Sequence, residues 1–274
     1  MMPFADAALA RRLERTEGDS NARFVEARAS INPESGAAWI DVAGTYAMFD
    51  GVSSPCTQTF GFGLFSPPNA ADLDVIERFF RERSAPVFHE VSPLADPSHV
   101  ALLNARGYRP VEFSTVLFRS IADEAPRAQS HGAITARTVA ADEAERWAQT
   151  LAAGWSDVEG VGGLLGDLAR IMAARSDAHL FVAELDGRVV AAGALWIGGG
   201  VALLAGASTI PAARRRGAQH ALLACRLAYA AAHGCDLAMV VAMPGSESQR
   251  NAERNGFRIA YTRTKWQLIV SGNG

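Results

Sequence analysis

The chain has 274 residues, 49% of them apolar and 20% charged, with a formal net charge of −3. Such a chain is globular and long enough for about two domains with real cores. It carries no broad basic face of the kind that binds nucleic acid, and no stretch reaches the roughly 18 apolar residues that span a membrane.

Taken in order, Phe4 to Ala29 predicts a helix or helices, broken near Gly18-Asp19-Ser20. Ala37 to Phe49 reads as a strand or hairpin arm and Thr59 to Phe65 as a second strand. Leu73, Ile76, Phe79 and Phe80 share one helical face over Ala70 to Arg83. A short strand (Val87 to Val91), a short helix (Ser98 to Arg106) stopped by Gly107, and one or two strands over Tyr108 to Phe118 follow. Ala122 to Gly132 is polar and without apolar period, the best linker. The chain then restarts with a strand (Ala133 to Val139) and a helix N-capped by Asp142 and running to about Trp155. Ser156 to Gly163 reads as a loop and Leu164 to Ala174 as a helix. His179 to Ile197 reads as a hairpin around Asp186-Gly187. A strand (Val201 to Ser208), a long helix (Gly217 to His233), a strand (Asp236 to Ala242), a helix (Ser246 to Asn255) and a terminal hairpin (Phe257 to Val270) complete the series.

The most telling stretch is Ile210 to Leu223. Arg214-Arg215-Arg216-Gly217 stands where a strand turns into a helix. Free backbone N–H groups and the helix dipole favour an anion at such a point, and the arginines add charge of the same sign. A diphosphate is the natural guest.

The two halves also echo each other. Ala105-Arg106-Gly107-Tyr108-Arg109 resembles Arg254-Asn255-Gly256-Phe257-Arg258, each after a short helix and before strands. The order of elements repeats at a separation near 150 residues, which points to a structural repeat. At the position of the arginines the first half carries Ser66 to Asp74, with Asp72 and Asp74 and no helix-opening glycine. Those aspartates repel a diphosphate, so one cofactor site per chain is expected.

Residues 133 to 270 resemble the GNAT superfamily of N-acetyltransferases. Arg214-Arg215-Arg216-Gly217-Ala218-Gln219 is similar to that family's Arg/Gln-x-x-Gly-x-Gly/Ala loop, and the order of elements agrees. The resemblance implies an α/β (α+β) chain of two GNAT-like domains, each a mixed, mostly antiparallel sheet flanked by helices. A degenerate domain at 1–125 precedes an acetyltransferase domain at 133–274. It further implies acetyl-CoA as cofactor, with Ala207, Ser208 and Thr209 pairing their backbone with the pantetheine arm. Arg214, Arg215, Arg216, Gly217, Ala218 and Gln219 would hold the phosphates, and Asn251 the cofactor arm. Two departures stand out: Gln219 replaces a small residue, and Ala252 stands where many members carry a tyrosine acid.

For the proton transfers, Asp157 and Glu159 lie in the segment where family members bind acceptors, beside Trp155. Ser248 and Tyr261 are the side chains that could replace the missing acid. The expected acceptor is a small-molecule amine. A non-catalytic CoA-binding regulator or scaffold, a longer acyl group, and a protein N-terminus are the alternatives. Cys56, Cys225 and Cys235 show no CxxC spacing and form no disulfide framework, which suits a reducing, cytoplasmic setting. Cys225 shares a core-facing helical stripe with Ala218, Ala221, Leu222 and Tyr229. The six histidines lack HExxH or paired spacing, so no metal is expected. No nucleic-acid or membrane partner is expected, and the chain is expected as a monomer or homodimer.

Overall fold

In the computed structural model the described residues are 4–122, 134–157 and 162–269. They divide into two compact units, Met1–Phe118 with Val241–Gly274, and Arg119–Val240.

The first unit opens with α1 (Ala7–Ile31), capped by the Asp6 carboxylate accepting from Leu9 N–H. The helix runs unbroken through Gly18, against the expected break. A Cβ at Gly18 would come within 3.2 Å of the Tyr46 ring, so this glycine serves close packing. A hairpin follows, β1 (Ala38–Val42) and β2 (Thr45–Phe49), turning at Ala43 and Gly44, both at positive φ. The next strand, β3, covers only Gln58–Phe60, because Gly61 and Gly63 take positive φ and leave the extended path. Then come α2 (Ala70–Arg81), β4 (Phe88–Val91), α3 (Ser98–Ala105) and β5 (Tyr108–Ser120). Ala22, Val25, Met48 and Phe60 form one of its cores.

The second unit is β6 (Ile134–Thr138), α4 (Ala144–Ala153), α5 (Gly162–Ala174), β7 (His179–Leu185), β8 (Arg188–Gly198), β9 (Val201–Thr209) and α6 (Ala218–Ala232), followed by β10 (Leu237–Ala242). Asp142 is not the cap expected before α4. The Glu143 carboxylate accepts from the Ala140 N–H instead. Asp186 and Gly187 turn β7 into β8 at positive φ, as their pairing predicts. The sheet runs β10-β9-β8-β7-β6, antiparallel except for β9 and β10. One face of β8 meets Trp147, Leu151 and Ala169 of α4 and α5 through Ala192 and Ala194. The other face, at Gly193, meets Leu222 and Arg226 of α6.

The chain returns to the first unit with α7 (Glu247–Arg254) and β11 (Arg258–Leu268). The expected terminal hairpin is a single strand. Its interior, Thr262 to Lys265, holds no turn residue, and its irregularities are absorbed as bulges against β5. The strand lies between β4 and β5, antiparallel to both, so the first unit's sheet reads β1-β2-β3-β4-β11-β5. The expected division at 1–125 and 133–274 puts this strand in the second half; by compactness it groups with the first. The expected linker, Ala122 to Gly132, lies outside the described residues except for Ala122.

The repeat is visible in the backbone. Each unit has one parallel strand pair bridged by a helix, β3-α2-β4 and β9-α6-β10. Gly107 and Gly256 take φ of 83° and 80°, and the aromatic after each, Tyr108 and Phe257, is buried. The fold is thus α/β (α+β), with mostly antiparallel sheets and flanking helices, as expected.

Candidate active site

The site is built on the end of β9. The parallel register with β10 covers only 201–203 against 237–239, while β9 runs on to Thr209. Along its other edge it stays paired with β8, except for a bulge. Gly206 and Ala207 stand opposite the single Gly193, with Gly206 at φ 52°. A bulge turns backbone groups off the ladder, which makes them available to something other than a strand. The side chains here are already used. Ser208 Oγ donates to the Leu151 carbonyl at 2.8 Å, and Thr209 Oγ1 accepts from Gln219 Nε2 at 2.8 Å.

After β9, Pro211 to Ala213 make one 3-10 turn and the chain enters α6. Arg215 takes φ 63° and Gly217 φ 90°. Left-handed backbone is ordinary for glycine but costs an arginine about 1–2 kcal/mol. Gly217 is the N-cap and has no side-chain hydrogen bond to the helix. With glycine at the N-cap, no N-cap side chain occupies the first N–H groups of α6, a condition that favours an anion at a helix start.

The three arginines differ. Arg214 is spent: its Nη1 and Nη2 donate to the Asp157 carboxylate at 2.6 and 2.8 Å, and Nη2 also to the Gly154 carbonyl at 2.7 Å. Its Nε lies 3.4 Å from the Thr209 carbonyl. Arg215 and Arg216 are exposed, and among the described residues neither forms an ion pair. Sequence reasoning put all three on one ligand and missed the Arg214 pair. Gly154, closing α4 just before Asp157, was the only signal of a tight approach there.

Of the side chains considered for proton transfer, Asp157 is the ion-pair partner of Arg214. That guanidinium holds its carboxyl below the usual range and makes it a weak proton acceptor. Glu159 lies outside the described residues. Ser248 and Asn251 lie on α7 in the first unit, Ser248 exposed and Asn251 accepting from Asn255 Nδ2 through its carbonyl at 2.7 Å. Tyr261 is also in that unit. It is buried on β11 and its O–H donates to Glu14 at 2.8 Å, with burial pushing the phenol well up. Ala252 is buried on the inner face of α7. The structure thus brings Ala207, Ser208, Thr209, Asp157 and Arg214 to Gln219 together, and groups Ser248, Asn251 and Tyr261 with the other unit.

In the second unit the parallel pair β9-β10 thus parts beside a bulged strand end, which leads into a helix with glycine at its N-cap. Residues 112–247 match the family model "Acetyltransferase (GNAT) domain". This part of the chain, about half of it, belongs to the GNAT acetyltransferase family, whose general chemistry is acyl transfer. A GCN5-related N-acetyltransferase from Kribbella flavida is similar over 92% of this chain and 96% of its own, at 21% identity and a TM-score of 0.62. One from Sphaerobacter thermophilus covers 78% and 72% at 17% and 0.56. A tandem GNAT protein of the clavulanic acid biosynthesis pathway covers 83% and 79% at 14% and 0.58. At these identities the likeness is one of fold. No curated protein matches the chain. Among the described residues no helix is long and apolar enough to cross a membrane, and no cluster of metal-ligating side chains occurs.

Proposed function

We propose that the chain is an acetyl-CoA-dependent N-acetyltransferase acting on the amine of a small molecule, with its one coenzyme site in the second unit. The observation that supports this best is the pairing of an uncapped α6 with left-handed backbone at Arg215 and Gly217, directly after the bulged end of β9. Acetyl-CoA supplies an activated thioester. The N–H groups from Gly217 to Gln219 would hold its diphosphate, and Arg215 and Arg216 would add charge-assisted hydrogen bonds. The backbone of Ala207 to Thr209 would line the pantetheine arm, since the side chains of Ser208 and Thr209 are turned to packing. One N–H of that strand would polarise the thioester carbonyl while the amine nitrogen bonds its carbon; the amine proton would leave to water, and the C–S bond would break to release coenzyme A, its sulfur taking a proton from water.

Coenzyme A at about 100 times its dissociation constant should stabilise the chain by roughly 2.7 kcal/mol, a melting shift of several degrees. Replacing Arg215 and Arg216 with Glu should remove that shift. Neither acetyl-CoA nor coenzyme A moving the melting point would refute the reading. Binding without release of free thiol across a broad amine panel would leave a coenzyme-binding protein without catalysis.

A further inference from the structure

We propose that Arg214 is a positioning residue that ties the segment after α4 to the end of β9, so that coenzyme binding orders that segment; it is not a ligand of the diphosphate. This rests on the proposed coenzyme site and assigns a different task to one of its three arginines.

The argument begins with donors. A guanidinium has five N–H groups in a fixed fork. In Arg214, Nη1 gives one to Asp157, Nη2 gives one to Asp157 and one to the Gly154 carbonyl, and Nε points to the Thr209 carbonyl. One N–H is left, so a bidentate grip on a phosphate requires breaking the pair with Asp157. Arg215 and Arg216 have no such partner among the described residues and are exposed beside the uncapped helix start. The same three-residue run therefore contains one structural arginine and two available ones.

The second observation is the seam that Arg214 extends. Ser208 Oγ already holds the Leu151 carbonyl, and Gly154 sits so close to Ser208 that a Cβ would come 2.2 Å from Oγ. The end of α4 is thus fastened to the end of β9 at Leu151 and at Gly154. Arg214 continues the fastening one step outward, to Asp157. Its own backbone belongs to the turn that leads into the phosphate-binding stretch, with its N–H donating to the Pro211 carbonyl. A ligand that fixes Arg215 to Gln219 also fixes the base of Arg214, and through it the Asp157 segment. Coenzyme binding then shapes the ground on which an acceptor would arrive.

The test uses the full chain with the variants Arg214→Gln, Asp157→Asn and both together. Hydrogen exchange of 150–157 is followed with and without coenzyme A, and the coenzyme affinity is measured by calorimetry. The tie predicts faster exchange at 150–157 in either single variant and no further change in the double. It predicts that coenzyme A slows exchange there in the wild type and in neither variant, a response that a merely structural pair would not show. With Asp157 replaced by Asn, adding Arg214→Gln should change the coenzyme affinity by less than about twofold. A phosphate ligand would instead lose about tenfold or more at that step. That larger loss, or coenzyme-dependent protection that survives in the variants, overturns the proposal while leaving the coenzyme site standing. No heat with coenzyme A in the wild type overturns both the coupling and the functional reading.

Discussion

Gly154 marks the point where the end of α4 meets β9, and no side chain fits there. A Cβ would lie 2.2 Å from Ser208 Oγ, 2.4 Å from its Cβ and 3.1 Å from the Thr209 nitrogen. Two of these atoms are fixed by the strand, so the neighbour cannot swing aside. Gly154→Ala should cost about 1–3 kcal/mol, the usual range for overpacking, read from urea unfolding. Ser208→Gly in the same background should recover part of that loss by removing both side-chain contacts. A Gly154→Ala chain within about 0.5 kcal/mol of the wild type, the range of neutral surface changes, would show that α4 and β9 slide apart freely. The arginine run shows why such details escape a reading of residues. Arg214, Arg215 and Arg216 are identical in type and adjacent in sequence, yet among the described residues only the first meets a carboxylate, that of Asp157, which comes from 57 positions earlier.

At the level of elements, local pattern was a good guide wherever the turn chemistry was explicit. Asp186-Gly187 and the helix over 70–81 follow from their residues. Two elements were misjudged because their determinants lie far off in sequence. Gly18 has the sequence look of a helix break but answers to Tyr46 on β2. The hairpin expected over 257–270 is one strand because β4 and β5 both offer edges to it. That strand is fastened to α1 by a buried cluster: Arg263, 1% exposed, reaches Glu14 at 3.4 Å and Glu17 at 2.6 Å, while Glu90 lies 3.2 Å away. Burial, partly offset by Arg263, raises Glu14 from its ordinary value of 4.5 to about 7. The folded state then holds this proton more tightly than the unfolded one. Its contribution is full below about 4.5 and is lost as the pH rises through about 7. Glu14→Gln removes that titration. Urea unfolding between pH 5 and pH 7.5 should show the wild type losing more stability with rising pH than the variant. Parallel profiles would mean that Glu14 titrates normally in the fold.

Over the whole molecule, the order of elements and the repeat were legible from the sequence. The compact units were less so, since the last strand inserts beside strands 140 or more residues earlier and no local signal announces it. The repeat also carries the strongest prediction about stoichiometry. Both units present a parallel pair bridged by a helix, so under the proposed reading the first unit has a position equivalent to the coenzyme site of the second. In the first unit that place is closed by its own residues. Asn69 caps α2 by accepting from Asp72 N–H at 2.9 Å, which consumes a donor an anion would need. Asp72 brings negative charge to the first turn, opposing a phosphate where the dipole would favour one, while Asp74 is paired with Arg106 at 2.7 Å. Phe62 is 2% exposed just beyond β3 and lies 4.5 Å from the His89 ring of β4, filling the ground beside the parallel pair. In the second unit the N-cap is a glycine with no side chain to cap the helix, the strand is bulged, and among the described residues Arg215 and Arg216 form no ion pair. Calorimetry should therefore return one coenzyme A per chain, and Arg215→Glu with Arg216→Glu should abolish all of it. A stoichiometry of two, or a residual site that survives those substitutions, would show that Asn69 and Phe62 yield to the ligand. The asymmetry between the two helix starts would then have no bearing on binding.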